Sequence, residues 1–248
     1  MRRGPMAASP EEFASLPVTV AGEDIANLLI TTGSGATVRG RVIFEGAKRS
    51  PASAALPLRV MPSPAEPGMN LNPMTSQDNG LVDAEGNFQL VGVSGNVLLR
   101  AGPIPPGWTQ KRVTVASRDI TDIGIEVPVG ESLTGVEVVL TDRVSTLTGS
   151  VRTTRGEPVT DYVLMVLPRE AKAGMAQVRF VATARPDQQG RYELRGRPPG
   201  EYVAMAVASL DQSGVWDPAV QERVRRNGKP FVLREGESLT LDLQLTAD

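Results

Sequence analysis

The stretch "DQQGRYELRGRPPGEY", residues Asp187–Tyr202, contains the features that decide the fold. It opens with a D-x-x-G pattern typical of a tight turn, in which the aspartate accepts backbone N–H groups and Gly190 takes a positive φ. Apolar and polar residues then alternate as on a half-buried strand, and a second turn at Gly200 leads into another strand. The residues predicted to enter the core are Tyr192, Leu194 and Tyr202.

This pattern belongs to an internal repeat of about 105 residues. "DAEGNFQLVGV" (83–93) matches "DQQGRYELRGR" (187–197), and "TVRGRV" (37–42) matches "TLTGSV" (146–151). "GESLTGVEVVLTD" (130–142) recurs as "GESLTLDLQLTAD" (236–248), and a third copy, "GEDIANLLITTG", begins at Gly22. The predicted domains are therefore an incomplete C-terminal part of a preceding repeat (1–33), a first complete repeat (34–143) and a second (144–248). An incomplete copy leaves sheet edges unpaired, so residues 1–33 are predicted to be mobile or to drive self-association.

Within each repeat the apolar residues have a period of two, which predicts an all-β fold of tandem antiparallel β-sandwiches. Gly and Pro together contribute 45 of the 248 residues, which favours many turns. One short helix is predicted in the second repeat, at "WDPAVQERVRRNG". Asp217 is its N-cap, Pro218 its first residue and Gly228 its left-handed end. Val220 and Val224, four residues apart, are predicted to pack the helix onto the sandwich.

The composition excludes several classes of function. The chain has no cysteine and no histidine, which removes thiol nucleophiles, Ser-His triads and His- or Cys-ligated metals. A net charge of -2 with scattered basic residues argues against nucleic acid as a partner. The first residues, "MRRGPMAASPEEF", do not resemble a signal peptide, and no segment is apolar enough to predict a membrane span.

The remaining patterns predict no catalytic, cofactor-binding or metal-binding residues. "DAEGN" (83–87) resembles the opening of a calcium loop, but its counterpart in the second repeat has Arg191 where an oxygen ligand is needed. A phosphate-binding loop places its glycines between a strand and a helix, whereas here they separate strands. Carboxylates such as Asp119, Asp122, Glu131 and Glu237 occur in turns or on polar faces, without the spacing of a facing pair.

Two tryptophans leave a ligand-binding hypothesis open. Sugar-binding sandwiches use exposed aromatic rings, and Trp108 and Trp216 both fall in predicted loops. The alternative for each is that it covers an edge of the core. A carbohydrate-binding module that uses these loop tryptophans is thus the second hypothesis, with polysaccharide as its partner.

The order of motifs, G-x-V, then D-x-x-G-x-F/Y-x-L-x-G, then P-P-G-x-Y, resembles the carboxypeptidase regulatory-like domain, a transthyretin-like (prealbumin-like) β-sandwich. The resemblance covers residues 34 to 248. It implies a non-catalytic structural or interaction module within a larger cell-envelope or secreted protein, hence an extracytoplasmic location. The partners that it implies are protein partners or neighbouring domains of the same parent protein, and no cofactor.

Overall fold

The computed structural model describes residues 12, 18, 22, 25–30, 32–33, 35–47, 57–66, 79–128, 130–172, 174–210 and 214–246. Strands dominate these residues, so the predicted all-β fold class is confirmed. The strands and the α-helix are β1 (Ala36–Glu45), β2 (Arg59–Pro64), β3 (Asn87–Val93), β4 (Gly95–Gly102), β5 (Thr109–Val115), β6 (Arg118–Asp119), β7 (Ile125–Val127), β8 (Ser132–Thr141), β9 (Thr146–Arg152), β10 (Pro158–Val159), β11 (Val163–Pro168), β12 (Ala182–Ala184), β13 (Arg191–Arg195), β14 (Gly200–Val207), α1 (Pro218–Asn227), β15 (Lys229–Leu233), β16 (Ser238–Thr240) and β17 (Leu243–Thr246).

The chain divides into two compact units. The first comprises Met1–Ile43, Ala52–Pro103 and Arg112–Val138, and the second comprises Phe44–Pro51, Ile104–Lys111 and Val139–Asp248. The domain limits expected from the repeats, 34–143 and 144–248, remain a prediction. Of the predicted incomplete copy, only residues 12, 18, 22, 25–30 and 32–33 lie within the described part of the chain.

In the first unit, one sheet has the order β3-β1-β8-β5-β6 and another the order β2-β4-β7. Strands β1 and β3 are antiparallel, with Gly40 opposite Phe88 and Val38 opposite Leu90. The alternating residues of these strands and of β8 are buried, because period-two sequences place every second side chain on the core face. Buried members of this core include Val38, Phe88, Leu90, Val136 and Val138.

The second unit repeats this plan with more strands. Its sheet order is β10-β9-β17-β14-β11-β12, with β13 and β16 also paired to β9 and β15 to β14. The core lies between β9, β13 and the closing strands on one side and β11 and β14 on the other. Tyr192 and Tyr202 are buried in it and Leu194 packs against it, as the sequence predicted.

Helix α1 explains why β11 and β14 are apolar on both faces. Their outward residues, such as Met165 and Met205, form a second cluster that includes Val224, with Val220 packed against it. The helix therefore buries a sheet face that would otherwise be exposed to water. Asp217 is the N-cap, since its side chain accepts from the Ala219 N–H at 2.7 Å, and these parts of the helix prediction are confirmed.

One local prediction about glycine is wrong. Gly228 has φ −71° and ψ 155°, so it is extended rather than left-handed. It must be glycine because a Cβ there would lie 2.5 Å from the carbonyl oxygen of Val224. Gly200 is the first residue of β14, and the glycine with a positive φ in this turn is Gly196, at 72°.

The pairing is not antiparallel throughout. In the second unit, β16 and β17 run parallel to β9, and β17 also runs parallel to β14. Alternation of side chains is the same in both types of sheet, so the sequence pattern could not distinguish them.

Candidate functional site

Trp108 does not offer a ring face to solvent. Its side chain is 8% exposed, and its ring packs edge-to-face against Phe44, with centroids 4.9 Å apart and planes at 86°. Sugar stacking needs an open aromatic face, and the ring of Trp108 is too buried to provide one. Trp108 instead covers the core, which was the alternative for this residue.

Trp216 is the exposed tryptophan. Its side chain is 45% exposed and lines an open cavity of about 1050 Å³ together with Asp161, Arg185 and Asp217. Among the described lining residues, Trp216 is the one aromatic. The structure therefore separates the two tryptophans: one is buried, and one borders an open depression lined by both apolar and charged residues.

The turn aspartates bind backbone N–H groups. Asp83 Oδ1 accepts from Asn87 N at 2.7 Å, and Asp187 Oδ1 accepts from Gln189 N and Arg191 N, each at 2.9 Å. The side-chain and backbone hydrogen bonds from Asn87 lower the pKa of Asp83, and the backbone hydrogen bond from Arg191 is the largest cause of the lowered pKa of Asp187. The predicted turn geometry is confirmed, with Gly86 and Gly190 at φ values of 90° and 77°.

Other carboxylates also serve turns. Asp119 Oδ1 accepts from Thr121 N at 2.9 Å, and Glu237 Oε2 accepts from Arg234 N at 2.7 Å. Across the described residues, no group of three or more Asp, Glu, His or Cys side chains is arranged to hold a metal ion. These carboxylates therefore stabilise turns locally.

The repeated G-x-V motif marks the closest approach between the opening and closing strands of each unit. A Cβ on Gly40 would lie 2.2 Å from the Val136 carbonyl oxygen and 2.8 Å from the Phe88 ring. A Cβ on Gly149 would lie 2.1 Å from the Leu241 carbonyl oxygen and 2.8 Å from the hydroxyl oxygen of Tyr192. In both units this glycine lets a closing strand and an aromatic ring pack directly on the opening strand.

We call the junction of β9 with β16 and β17 the closing seam of the second unit. Between β16 and β17 the ladder is interrupted, and the Asp242 side chain fills the gap: its Oδ1 accepts from Ser150 N and Ser150 Oγ, each at 2.9 Å. The hydrogen bonds from Ser150 lower the pKa of Asp242. Leu241 N donates to Thr148 O at 2.8 Å, so backbone and side-chain bonds alternate along the closing seam.

Two buried tyrosines of the second unit donate hydrogen bonds to backbone carbonyl groups. The Tyr192 hydroxyl donates to Leu241 O, and the Tyr162 hydroxyl donates to Gly190 O at 3.0 Å. Burial raises the pKa of Tyr162 to about 12 and also raises the pKa of Tyr192. Both phenols stay protonated at neutral pH and act as hydrogen-bond donors.

The sequence predicted part of this arrangement. It shows Gly40 and Gly149 as a repeated motif, but it does not show that the closing strand approaches each glycine too closely for a side chain. The residue after each glycine bonds an acidic residue of the closing strand: Arg41 Nη2 lies 2.7 Å from Glu137 Oε1, where Ser150 bonds Asp242 in the second unit. The aligned repeats place Glu137 opposite Leu243 rather than Asp242, so the sequence comparison did not reveal this contact.

Two of the comparisons with known proteins found no match. No family model matches it, and no curated protein matches it. The resemblance to the carboxypeptidase regulatory-like domain therefore stays a prediction. In the described helices, no run of residues is both long and apolar enough to span a bilayer.

Among solved structures, the TIE protein of Bacillus anthracis is 16% identical, with 85% of this chain and 33% of that chain covered and a TM-score of 0.30. A streptococcal ancillary pilin is 10% identical, with coverage of 87% and 65% and a TM-score of 0.30. The shaft pilin SpaA of Lactobacillus rhamnosus GG is 9% identical, with coverage of 88% and 99% and a TM-score of 0.30. The chain thus spans about a third of the first of these proteins and about two thirds of the second. Likenesses of this size carry no inference about its function.

Proposed function

We propose that the chain is a non-catalytic structural module that resists tension within a larger cell-envelope or secreted protein. The observation that carries the proposal is the parallel pairing of β9 with the closing strands β16 and β17. Thr146, at the start of β9, lies opposite Ser238, and Arg152, at the end of β9, lies opposite Gln244 on β17. The extracytoplasmic location rests on the sequence resemblance alone.

Parallel terminal strands determine how tension reaches the hydrogen bonds. Because β16 and β17 run parallel to β9, the amino-terminal end of β9 and the carboxyl-terminal end of β17 lie at opposite ends of the closing seam. A pull along the chain therefore slides the two strands past each other and loads their bonds together. Antiparallel terminal strands with neighbouring ends would open one bond at a time, at lower force.

The side chains along the closing seam add to this resistance. Asp242 holds Ser150 through two hydrogen bonds, and Tyr192 donates to the Leu241 carbonyl from inside the core. Bonds to an ionised acceptor are stronger than bonds between neutral groups. In both repeats, the close approach at the G-x-V glycine and the bond from the next residue to an acidic side chain join the opening strand to the closing strand.

Single-molecule force spectroscopy tests the proposal, because the chain has no native cysteine and introduced thiols can carry handles at chosen sites. In a Thr146→Cys, Gln244→Cys variant the handles lie at opposite ends of the closing seam and load it in shear. In the matched Arg152→Cys, Gln244→Cys variant they lie on register partners and peel the strands apart. We expect an unfolding force several-fold higher in the first geometry, since forced unfolding follows the barrier to opening. Equal forces in the two geometries would overturn the proposal.

Sugar binding through Trp216 is the second hypothesis, because its exposed ring borders an open depression that also contains Asp161 and Arg185. A glycan array gives the test. Binding that disappears in Trp216→Ala, with an unchanged unfolding temperature, would support it, and no binding at millimolar saccharide would reject it. The matched control is Val232→Ala, an exposed apolar residue outside this depression.

A further inference from the structure

Residues Ile25–Ile30, "IANLLI", resemble the closing strands of the two units in sequence and in the position of one backbone bend. They follow the Gly-Glu dipeptide that precedes β8 and β16. Gly22 has φ 87° and Asn27 has φ 60°, whereas Gly130 and Gly135, at the same two positions before and within β8, have φ values of 80° and 73°. A positive φ is uncommon outside glycine, and asparagine is among the residues that tolerate it best. The two segments therefore share a bend as well as a sequence pattern.

The bend sets which residues of the two segments correspond. Counting from it, Leu28 and Ile30 take the positions of Val136 and Val138. Val136 and Val138 are fully buried against the first unit's core, at 0% exposure. Leu28 and Ile30 are 52% and 60% exposed, and within the described chain Ile25–Ile30 forms no strand. Side chains suited to a core are thus held in water, which disfavours this state.

The closing-strand position is already filled in both units. β8 neighbours β1, and β16 and β17 pair with β9. The position of Ile25–Ile30 in the chain indicates that it would pair with the sheet of a different unit. β9 begins at Thr146, shortly after β8 ends at Thr141, and β1 begins at Ala36, shortly after Ile30. A closing strand is in each case followed directly by the opening strand of the next unit.

We propose that Ile25–Ile30 is a donated closing strand that completes a further sandwich unit of the same type, joined on the amino-terminal side of Gly22. In that unit, Leu28 and Ile30 would enter the core beside the opening strand, as Val136 and Val138 do beside β1. The proposal is independent of mechanical load, because it needs only that the segment closes a sandwich.

A fusion protein tests the donation directly. In this fusion, a copy of residues 144–235 replaces residues 1–21 of the full chain, so the copy lacks β16 and β17 and is followed by Gly22. The last residue of the copy, Glu235, then precedes a Gly-Glu dipeptide, as it does in the native second unit. We expect hydrogen exchange to show protection in the copied β9. In the matched fusion with Leu28→Asp and Ile30→Asp, that protection should disappear while the native second unit stays protected. A copied unit that is unprotected in both fusions, or protected in both, overturns the proposal.

A second experiment tests whether residues 25–30 can act as a closing strand at the position of β8 in the first unit. The sequence of residues 25–30 replaces residues 133–138, which makes Val136→Leu and Val138→Ile and places asparagine at the bend through Gly135→Asn. The control carries the same six residues in reverse order, which places leucine at the bend and asparagine at buried position 136.

We expect the β1 amides to keep exchange protection within about tenfold of the native chain in the forward transplant, and to lose it by about 100-fold or more in the control. Equal loss, or equal retention, in the two transplants would contradict a closing-strand role for this segment.

Discussion

Gly149→Ala should open the closing seam of the second unit. The added methyl carbon would lie 2.1 Å from Leu241 O and 2.8 Å from both Leu241 C and the Tyr192 hydroxyl oxygen. Because the nearest obstacle is backbone, the closing strand must move by about 1 Å to reach van der Waals contact. That shift weakens the bonds from Leu241 N to Thr148 O and from the Tyr192 hydroxyl to Leu241 O.

The magnitude follows from these contacts. Overpacking costs about 1–3 kcal/mol, and each weakened hydrogen bond costs about 0.5–1.5 kcal/mol. We therefore expect Gly149→Ala to lower the free energy of unfolding of the second unit by about 2–6 kcal/mol. That is a large share of the stability of an ordinary domain, which is about 5–15 kcal/mol.

Urea unfolding followed by circular dichroism measures the loss, and hydrogen exchange at residues 146–152 assigns it to this unit. Gly200→Ala is the matched control: Gly200 is also a strand glycine without a positive φ, and a Cβ there would lie 3.5 Å from its nearest neighbour. We expect the control to change stability by less than about 1 kcal/mol. A Gly149→Ala chain as stable as the Gly200→Ala chain would refute the close-approach argument.

Two further predictions concern aspartates that accept hydrogen bonds from backbone N–H groups. Ser150 lowers the pKa of Asp242, so the carboxylate stabilises the fold at neutral pH and this stabilisation is lost as the pH falls through the folded-state pKa, below 3.8. Asp242→Ala should therefore cost about 1–2 kcal/mol at pH 7 and less near pH 2, measured by urea unfolding at each pH; an equal cost at both would contradict the role of the charge. Asp217→Ala should cost about 0.5–2 kcal/mol and raise the exchange rates of the α1 amides, whereas Asp217→Asn should retain the cap. Equal exchange rates in the two Asp217 variants would show that the cap contributes nothing.

Local rules explain which structural predictions succeeded. Asp187 and Gly190 form their turn through bonds spanning four residues, and Asp217 caps its helix through a bond spanning two. Such contacts depend on residues that are adjacent in the sequence, so spacing and residue type suffice to predict them. The buried positions of Tyr192 and Tyr202 followed from alternation for the same reason.

Contacts between distant segments explain one prediction that failed and one question that the sequence left open. Gly228 is extended because β15 begins at the next residue and pairs with the distant strand β14, which no local sequence window shows. Trp108 occurs in a loop, yet its ring packs against Phe44, which lies 64 residues earlier. Loop position predicts exposure only on average, and a single aromatic contact reverses it.

The sequence by itself determined the all-β class, the repeat of about 105 residues, the turn glycines and helix α1, because each depends on residue periodicity or on contacts within one turn. The tertiary structure alone decided that the closing strands run parallel to β9, that Gly149 must lack a side chain, and that Asp242 completes the ladder beside Ser150. Those features join residues about 92 positions apart. Both strand directions present the same alternation of side chains, so only the folded arrangement distinguishes them.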